Sequence, residues 1–426
     1  MNKALRPIKV ARAAGTGAST VVECCQVCGH APLEQVLSLG YMPPPNRLAP
    51  VGQAPKQQSW YPTNFLYCGL CGLAQLGVVI DPAIVFPPEF PYTTGNTKAL
   101  RDNLAELYRE CSAMLGLAAG DLVVDVGSND GTLLANFKTP GHRVLGIEPT
   151  DVGDIANTRE IPTIKRYFTL DVAREVKREH GPASVITATN CFAHIEDVHG
   201  IMEAIVELLK PDGVFISESH YLMSLLDGLQ YDTIYHEHLR YYSIASLKYL
   251  FQMHDMELFH VRPIPTHGGS IRVYAAKRGT RTIEESVGRM LAAELTGNAM
   301  AEKLSAFGRQ VMLSKLRLLS MLRDLKEKGA RIAAIGAAAR ATTLLHYVGL
   351  DEAIIDYVCE VSGSLKIGQC MPGTQIPVVD EARLFSDQPD CALLFSWHIA
   401  DQLAPMLKAK QFRGLIIVPL PMPRIL

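Results

Sequence analysis

The stretch that most constrains the fold runs from Leu122 to Gly131 and reads LVVDVGSNDG. Its apolar first half has the composition of a buried strand, and its polar second half leads to a helix expected to begin near Thr132. In an open α/β sheet, ligands bind beyond the carboxyl ends of the strands, at strand-to-helix turns of this kind. The segment therefore predicts an α/β domain with a ligand site at this loop.

The charge of the loop indicates which ligand it takes. It carries Asp125 and Asp130 but no lysine, whereas a loop that cradles phosphate relies on lysine and on main-chain N–H groups. Gly127 and Gly131 allow the backbone to approach a ligand closely. Because an acidic loop suits a cation, we expect it to bind the sulfonium and amino groups of S-adenosylmethionine.

Three further apolar segments end in polar residues and are expected to complete the same crevice. One ends at Glu148, whose carboxylate can accept hydrogen bonds from the ribose hydroxyls of a nucleoside. The next ends at Asn190, and the last, which ends at Glu218, follows a predicted helix-to-strand turn at 210–213. The pattern predicts a class I, Rossmann-like methyltransferase core over residues 86–280. The predicted cofactor contacts are Asp125, Gly127, Ser128, Asn129, Asp130, Gly131, Glu148 and Asn190.

Two Cys-x-x-Cys-Gly knuckles lie near the N-terminus. Cys25 and Cys28 form the first, and Cys68 and Cys71 form the second. Four thiolates match the tetrahedral coordination of Zn²⁺, with bonds of about 2.3 Å, and a site closed by four sulfurs is structural. The glycine after each knuckle lets the backbone turn around the metal. We therefore predict a small zinc-binding lobe over residues 21–85.

A chain of 426 residues with a net charge of −2 is expected to form two or three globular domains. It has no lysine- and arginine-rich run, so nucleic acid is not expected as a partner. No apolar stretch reaches the ~20 residues of a membrane span. Residues 1–20 read as a frayed leader without the apolar block of a secretory signal. We therefore expect a cytoplasmic protein with no membrane partner.

The second half of the chain adds a connector and another domain. Residues 281–330 are predicted to form helices, with Leu304, Phe307, Met312 and Leu316 among their core positions. A second strand–helix alternation over 331–426 predicts a C-terminal Rossmann-like α/β domain. Its first loop lacks Gly-x-Gly-x-x-Gly, so a working nicotinamide cofactor site is not expected there. The whole chain is thus assigned to the α/β class.

Several segments together carry a resemblance to a known family. They are the two cysteine knuckles, the loop DVGSNDG, the segments NCFAH (190–194), YHEH (235–238) and HGGSIR (267–272), and a C-terminal block with GAAAR (336–340) and MPGT (371–374). From about residue 24 to the C-terminus, the chain resembles the sugar C-methyltransferases that act on nucleotide-linked deoxyhexoses. Residues 340–343 and 359–363 depart from the family's pattern, in the domain expected to help bind the nucleotide sugar.

The resemblance implies methyl transfer from S-adenosylmethionine to a ring carbon next to a ketone. Such a carbon needs a base of nearly neutral pKa and donors for the developing enolate oxygen. Histidine, with an ordinary pKa of ~6.5, suits the base, and His238 is our choice. The other residues assigned to catalysis are Glu237, which orients an imidazole or holds a sugar hydroxyl, Tyr235 and His194 as donors, and Tyr92 as a residue that closes over the site. His236, Ser270 and Arg272 are predicted to contact the nucleotide-linked keto-deoxy sugar.

Other interpretations stay open at this point. His236 and His238 are two residues apart, so they lack the His-Glu-x-x-His spacing that puts two metal ligands on one helix face. The chain could be an NAD(P)-dependent nucleotide-sugar oxidoreductase or epimerase that uses the C-terminal alternation. It could also be a zinc-stapled binding protein without catalytic activity. For Ser270 and Arg272, a role in forming a turn is an equal alternative to substrate contact.

Overall fold

The structure is a computed structural model that describes residues 12–13, 19–53 and 57–426. Most of the predicted leader lies outside the described residues. The chain forms an N-terminal lobe, a central sheet domain, a pair of connecting helices and a C-terminal sheet domain. Within the described ranges, no helix is both long enough and apolar enough to cross a membrane.

The N-terminal lobe is built from short antiparallel strands. They are β1 (Arg12–Ala13), β2 (Ser19–Val22), β3 (Glu34–Met42), β4 (Ala49–Pro50), β5 (Tyr61–Tyr67), β6 (Ala74–Leu76) and β7 (Val78–Ile80), followed by the helix α1 (Pro82–Val85). Burial alternates along β5, where Tyr61, Thr63, Phe65 and Tyr67 are buried. This period of two places one face of the strand on the core and the other towards solvent.

The central domain contains seven strands of one sheet with helices on its faces. Its elements are α2 (Lys98–Leu115), β8 (Leu122–Val126), α3 (Thr132–Lys138), β9 (Arg143–Ile147), α4 (Val152–Thr158), β10 (Thr163–Ile164), α5 (Leu170–His180), β11 (Ala183–Thr189), α6 (Val198–Leu208), β12 (Leu209–His220), α7 (Leu222–Asp227), β13 (Arg240–Tyr241), α8 (Ile244–Met253), β14 (Met256–Ile264) and β15 (Ser270–Lys277). Short 3-10 turns span Thr94–Asn96, Tyr231–Thr233 and Thr266–Gly268.

The strand order in this sheet is β10-β9-β8-β11-β12-β15-β14. The first five are parallel, and β15 lies antiparallel between β12 and β14. All five residues of β8 are buried, as expected for a strand with helices on both faces. The predicted class I methyltransferase fold is confirmed. β13 is not part of this sheet and instead pairs with β6 of the lobe.

The sequence predicts a turn at residues 210–213 before the fourth strand, and the structure agrees with it. β12 as a whole runs from Leu209, but its pairing with β11 advances from Leu209 to Val214 while β11 advances only from Ala183 to Val185. A Cβ atom on Gly213 would lie 3.0 Å from the main-chain nitrogen of Lys210. The chain therefore turns at residues 210–213 and pairs regularly with β11 from Val214 onwards.

Two helices, α9 (Glu285–Ala293) and α10 (Gly297–Lys326), form the connector. Leu304 and Phe307 are buried as predicted, but Met312 and Leu316 are 47% and 53% exposed. The buried stripe continues instead through Val311, Ser314, Leu318 and Leu322. Met312 lies one residue after the buried Val311, which is a rotation of about 100° on a helix, and Leu316 lies two residues from both Ser314 and Leu318.

The C-terminal domain is a second, mostly parallel sheet. Its elements are β16 (Ile332–Ile335), α11 (Ala339–Val348), β17 (Tyr357–Glu360), β18 (Gln369–Cys370), β19 (Val378–Asp380), α12 (Ala382–Asp387), β20 (Cys391–Leu394), α13 (Ala400–Ala409), β21 (Leu415–Val418) and β22 (Arg424–Ile425), with a 3-10 turn at Trp397–Ile399. The strand order is β19-β17-β16-β20-β21-β22, and only the pairing of β22 is antiparallel.

One apolar cluster joins the lobe, the connector and the C-terminal domain. Phe65 of β5 packs against Phe307 of α10, with ring centroids 6.3 Å apart. Leu344 of α11 and Val358 of β17 belong to the same cluster and are fully buried. The pair β4 and β18 adds main-chain hydrogen bonds between lobe and C-terminal domain. Together these contacts pack the lobe, the connector and the C-terminal domain against one another.

The corrected register of α10 predicts different costs for two adjacent residues. Val311→Ala removes two methyl groups from a fully buried side chain and should lower the free energy of unfolding by roughly 1–3 kcal/mol. Met312→Ala, half exposed, should change it by no more than about 0.5 kcal/mol. Thermal or urea unfolding followed by circular dichroism measures both. Equal losses in the two variants would contradict the register.

Candidate active site and zinc centre

The loop after β8 is held in a conformation that its glycines make possible. Gly127 and Gly131 have φ of +67° and +76°, in the left-handed region. A Cβ atom on Gly127 would lie 2.9 Å from Cβ of Cys191, so even alanine would push the two loops apart. The loop after β8 and the loop after β11 therefore meet at backbone distance, at the carboxyl edge of the sheet.

Glu148 follows β9 and faces this loop, as the sequence predicts. Its Oε2 accepts a hydrogen bond from the main-chain N–H of Asn129 at 3.0 Å. Its Oε1 accepts bonds from the backbone N–H and the hydroxyl of Thr150, at 2.9 and 2.7 Å. The carboxylate thus fixes the glycine loop, and its remaining lone pairs are available to ribose hydroxyls.

Asp125 lies at the end of β8 and is 2% exposed. The hydroxyl of Thr187, on the adjacent strand β11, donates a bond of 2.6 Å to its Oδ1. Burial raises the pKa of Asp125 to about 7, with a smaller contribution from the negative charges of Glu148 and Glu218, while the Thr187 bond opposes the shift. A carboxylate that is costly to ionise in the empty protein is stabilised by a nearby cation.

Asp130, which was predicted to contact the cofactor, has its carboxylate occupied by protein donors. Its Oδ2 accepts bonds from the Gly95 N–H at 3.0 Å and from Arg159 at 3.2 Å, and its Oδ1 accepts the Thr132 hydroxyl at 2.6 Å. Asp130 is 1% exposed. Its side chain therefore holds the segment around Gly95 against the loop.

Asn129 makes the matching contact from the other side of the loop. Its Oδ1 accepts the Thr94 N–H at 2.8 Å, and its Nδ2 donates to the carbonyl of Tyr92 at 3.1 Å. Asn129 and Asp130 together therefore hold the segment 92–95 against the glycine loop. The Tyr92 side chain itself is 39% exposed, at the rim of the crevice.

The crevice contains buried polar atoms that fit a bound nucleoside. Asn190 adopts a φ of +57°, and its main-chain N–H donates to the carbonyl of Glu218 at 2.8 Å. Its Oδ1 is buried without a protein partner, and so is Oγ of Ser128. Buried polar atoms are normally paired, so both atoms are suited to a ligand. These residues fit S-adenosylmethionine.

His238 lies beside this crevice in a fixed tautomer. Its Nδ1 is 2.8 Å from the main-chain carbonyl of Thr233. A carbonyl only accepts hydrogen bonds, so Nδ1 carries the proton and Nε2 keeps a free lone pair. Burial, and then the nearby His194, lower the pKa of His238 well below its usual value. The imidazole is therefore neutral near pH 7.

Aromatic and imidazole rings cluster around His238. Tyr235 lies closest, with ring centroids 4.1 Å apart, followed by His220 at 4.7 Å and His194 at 5.0 Å. His267 lies 5.5 Å beyond His220. Burial raises the pKa of Tyr235 well above its usual value, so its hydroxyl remains a donor. The predicted residues His194, Tyr235 and His238 are thus brought together, and His220 and His267 join them.

Glu237 is directed towards the interface of three domains. Asn46, in the proline-rich loop of the lobe, donates a hydrogen bond of 2.5 Å to its Oε1. Burial raises the pKa of Glu237 to about 7, although Asn46 and the positive charge of Lys366 in the C-terminal domain oppose the shift. The Lys366 ammonium donates to the carbonyl of Ala337 at 2.7 Å. These polar groups line one wall next to the histidines.

Two of the three predicted substrate contacts have other partners. His236 is 1% exposed, and its Nε2 lies 3.2 Å from Oγ1 of Thr63 and 3.3 Å from the carbonyl of Pro62, inside the lobe. Ser270 is also buried, and its hydroxyl donates to the Thr266 carbonyl at 3.0 Å. The geometry gives both a structural role in place of the predicted contact with substrate.

Arg272 also lies in the protein interior instead of facing the crevice. Its Nε pairs with Glu218 at 2.6 Å, its Nη1 pairs with Glu110, and its Nη2 contacts Oδ1 of Asn103 at 3.2 Å. The side chain is completely buried. All three nitrogen atoms of the guanidinium are occupied, and the side chain links β15 to α2 and β12. The predicted contact of Arg272 with substrate is therefore replaced by a structural role.

The four predicted zinc ligands converge. Cys25, Cys28, Cys68 and Cys71 are buried, and their four sulfur atoms lie within 4.8 Å of one another. The Cys25–Cys71 and Cys28–Cys68 sulfur distances are both 3.5 Å, close to the ~3.8 Å edge of a tetrahedron with Zn–S bonds of about 2.3 Å. In each knuckle the glycine N–H bonds to the carbonyl of the first cysteine at 2.9 Å.

The C-terminal domain also contributes a buried ion pair beside the Tyr235–His238 segment, which was not predicted from the sequence. Arg340 of α11 pairs with Asp232, which is 1% exposed, and Trp397 donates to the same carboxylate. The Arg340 Nη1 contacts Nδ1 of His398 at 2.9 Å. The only signal in the sequence is that Asp232 precedes Tyr235–His238 by three residues, which does not identify its partners.

Comparisons with known proteins agree with this architecture. Family models match residues 25–86 (putative zinc binding domain), 97–261 (methyltransferase domain) and 265–421 (C-methyltransferase C-terminal domain). C-methyltransferase NovU of Streptomyces niveus is 33% identical over 411 residues, which are 95% of this chain and 97% of that protein. The chain belongs to the C-methyltransferase family. The family assignment and the class I fold identify its cofactors as S-adenosylmethionine and structural zinc.

Other matches cover less of the chain. The ubiquinone biosynthesis O-methyltransferase of Acinetobacter baumannii (strain AYE) is 32% identical over 24% of this chain and 45% of that protein. The solved PH0226 protein from Pyrococcus horikoshii OT3 is 16% identical, covers 46% of this chain and 98% of that chain, and has a TM-score of 0.36.

The cysteine geometry predicts a structural zinc ion. Cys25→Ser should lose the metal and destabilise the lobe, because three thiolates and a hydroxyl do not close the site. Metal analysis by inductively coupled plasma mass spectrometry should give about one zinc per wild-type chain and much less for the variant. Cys24→Ser, next to the knuckle but outside the cluster, is the matched control. Equal zinc contents in the two variants would contradict the assignment.

The buried carboxyl of Asp125 predicts pH-dependent cofactor binding. With a pKa of about 7 in the cofactor-free protein, it is mostly protonated at pH 6, and a bound cation favours its ionised form. Affinity for S-adenosylmethionine should therefore rise about tenfold from pH 6 to pH 8, as measured by calorimetry. Asp125→Asn should abolish the rise, whereas the exposed Asp154→Asn should keep it. A flat wild-type profile would contradict the prediction.

Proposed function

We propose that this C-methyltransferase acts on a nucleotide-linked keto-deoxy sugar and that His238 removes the proton next to the ketone. The observation that carries the proposal is the fixed tautomer of His238, whose Nδ1 donates to the carbonyl of Thr233 at 2.8 Å. The unprotonated Nε2 can accept a proton from substrate without any prior change of state. Bound S-adenosylmethionine supplies the methyl group as an electrophilic sulfonium.

The groups around His238 support the formation of an enolate. When the proton moves from carbon to Nε2, negative charge develops on the ketone oxygen and requires a donor nearby. Tyr235 keeps its hydroxyl proton because burial raises its pKa. His194 is neutral, since burial lowers its pKa to about 3, and one of its ring nitrogens therefore carries a proton. Either residue can stabilise the oxygen, and the carbon then takes the methyl group.

The walls of the site support a polar, hydroxylated substrate. Glu237 is held by Asn46 of the lobe, and Lys366 of the C-terminal domain faces the same region. A carboxylate and an amide in a buried wall are suited to sugar hydroxyls, because each can form two or more directed hydrogen bonds. Tyr92 stands at the rim and would cover the bound sugar. Polar groups from two flanking domains suit a bulky substrate such as a nucleotide-linked sugar.

We also propose a cytoplasmic location. The predicted zinc site requires four reduced cysteines, and thiols stay reduced in the cytosol. S-adenosylmethionine and nucleotide sugars are intracellular metabolites, so the proposed reaction requires the same compartment.

The proposed base can be tested with a variant that preserves the tautomer contact. In His238→Asn, the amide N–H can replace Nδ1–H and donate to the Thr233 carbonyl, but no atom replaces Nε2. We expect kcat to fall about 10²- to 10⁴-fold, with unchanged affinity for S-adenosylmethionine. The assay is mass spectrometry of nucleotide keto-sugars incubated with methyl-labelled cofactor.

A surface histidine provides the matched control. His142 makes the same kind of contact, with Nδ1 3.0 Å from the Ala118 carbonyl, far along the chain from the proposed base. His142→Asn should keep wild-type turnover. Full activity in His238→Asn would remove His238 from the mechanism, and a product methylated on oxygen would contradict transfer to carbon.

A further inference from the structure

The segment that presents the proposed base is held by the C-terminal domain. Asp232 lies in the 3-10 turn Tyr231–Thr233 of the central domain. Arg340 of α11 donates to both carboxylate oxygens of Asp232, from Nε at 2.7 Å and from Nη2 at 2.9 Å. Trp397 donates to the same carboxylate at 2.7 Å. All three of these hydrogen bonds therefore come from a different domain.

The buried position of this pair makes its geometry well defined. Asp232 is 1% exposed and Arg340 is 6% exposed. A two-pronged pairing of guanidinium and carboxylate fixes both distance and orientation, and a buried charge that loses its partner is strongly unfavourable. Arg340 also lies over the Trp397 ring, 5.0 Å from its centroid. The turn is consequently fixed in one orientation relative to α11.

Thr233 and Ile234, which follow Asp232, connect this fixed turn to His238. The Thr233 carbonyl accepts hydrogen bonds from His238 Nδ1 at 2.8 Å and from the Tyr241 hydroxyl at 3.0 Å. The Ile234 carbonyl accepts the hydroxyl of Thr343, another residue of α11, at 3.3 Å. Both α11 contacts flank the carbonyl that sets the tautomer. Rotation of the Thr233 peptide would remove the acceptor from Nδ1.

We propose that Arg340, through Asp232, is a positioning residue for methyl transfer, because it holds the Thr233 carbonyl where it keeps the His238 proton on Nδ1. This inference rests on the proposed role of His238. It gives the C-terminal domain a part in setting the base, in addition to any contact with substrate. The Arg340–Asp232 ion pair thus has two roles. It attaches the C-terminal domain to the central domain, and it keeps His238 in the tautomer that can accept a proton.

The direct test is the protonation pattern of the His238 ring. Full-length protein labelled with ¹⁵N-histidine reports by NMR which ring nitrogen carries the proton, and comparison with His238→Asn assigns the signals. In wild type we expect the proton on Nδ1. In Arg340→Met we expect a mixture of tautomers, a kcat at least tenfold lower, and a dissociation constant for S-adenosylmethionine within twofold of wild type.

Three further variants make the test specific. Arg383→Met removes an exposed arginine of the same domain that pairs with Asp387 at 3.0 Å, and it should leave both tautomer and kcat unchanged. If Arg340→Met does not fold, Asp232→Asn provides the same readouts with a smaller perturbation. Arg340→Lys keeps the positive charge but cannot form the two-pronged pairing with Asp232, so its kcat should lie between those of Arg340→Met and wild type.

The outcomes separate this inference from the proposed function. A wild-type tautomer in Arg340→Met would overturn the inference, whether or not kcat falls, because a fall alone would then reflect another role. An unchanged kcat would overturn it as well. The NMR readout does not depend on turnover. Full activity in His238→Asn would instead overturn the proposed base while leaving the tautomer result interpretable.

Discussion

Parallel strands that alternate with helices end at the same edge of their sheet, and this constraint places the predicted cofactor crevice. Asp125 lies near the end of β8, and Glu148 and Asn190 follow β9 and β11, the two strands next to it. The three residues share one edge although they are distant in sequence, because each strand returns in the same direction after its helix. The positions of the acidic loop, the Glu148 carboxylate and the Asn190 amide oxygen, which has no protein partner, follow from that geometry.

The segment that leaves this edge after β12 lies between all three domains. His236 is packed into the lobe, Glu237 bonds to Asn46, and Asp232 is paired with Arg340 of the C-terminal domain. Such a segment exposes many main-chain polar groups to an interior that lacks water, and each needs a partner. The flanking domains provide these partners. Within this segment, the Thr233 carbonyl accepts a hydrogen bond from Nδ1 of His238 and so defines the tautomer of the ring.

The four zinc ligands are the site residues whose predicted arrangement the structure confirms. The Cys-x-x-Cys spacing and the following glycine turn the backbone around each pair of sulfurs, and the fold brings the two pairs together. The glycine loop and Glu148 follow from strand ends. Three assignments behave differently. Arg272, Ser270 and His236 belong to motifs that were predicted to line the site, yet each side chain turns inward to a partner that only the folded chain brings close.

The fold class, the metal ligands and the conformation of the glycine loop could be predicted from the amino-acid pattern, since periodicity, spacing and turn residues act over a few neighbouring positions. Which ionisable groups lie beside the crevice depends on tertiary packing. His220 lies beside His238 because of where β12 ends, and Arg340 reaches Asp232 across 108 positions of the chain. Such pairings depend on how domains pack, because burial and charge partners are properties of the assembled chain and leave no periodic trace in its sequence.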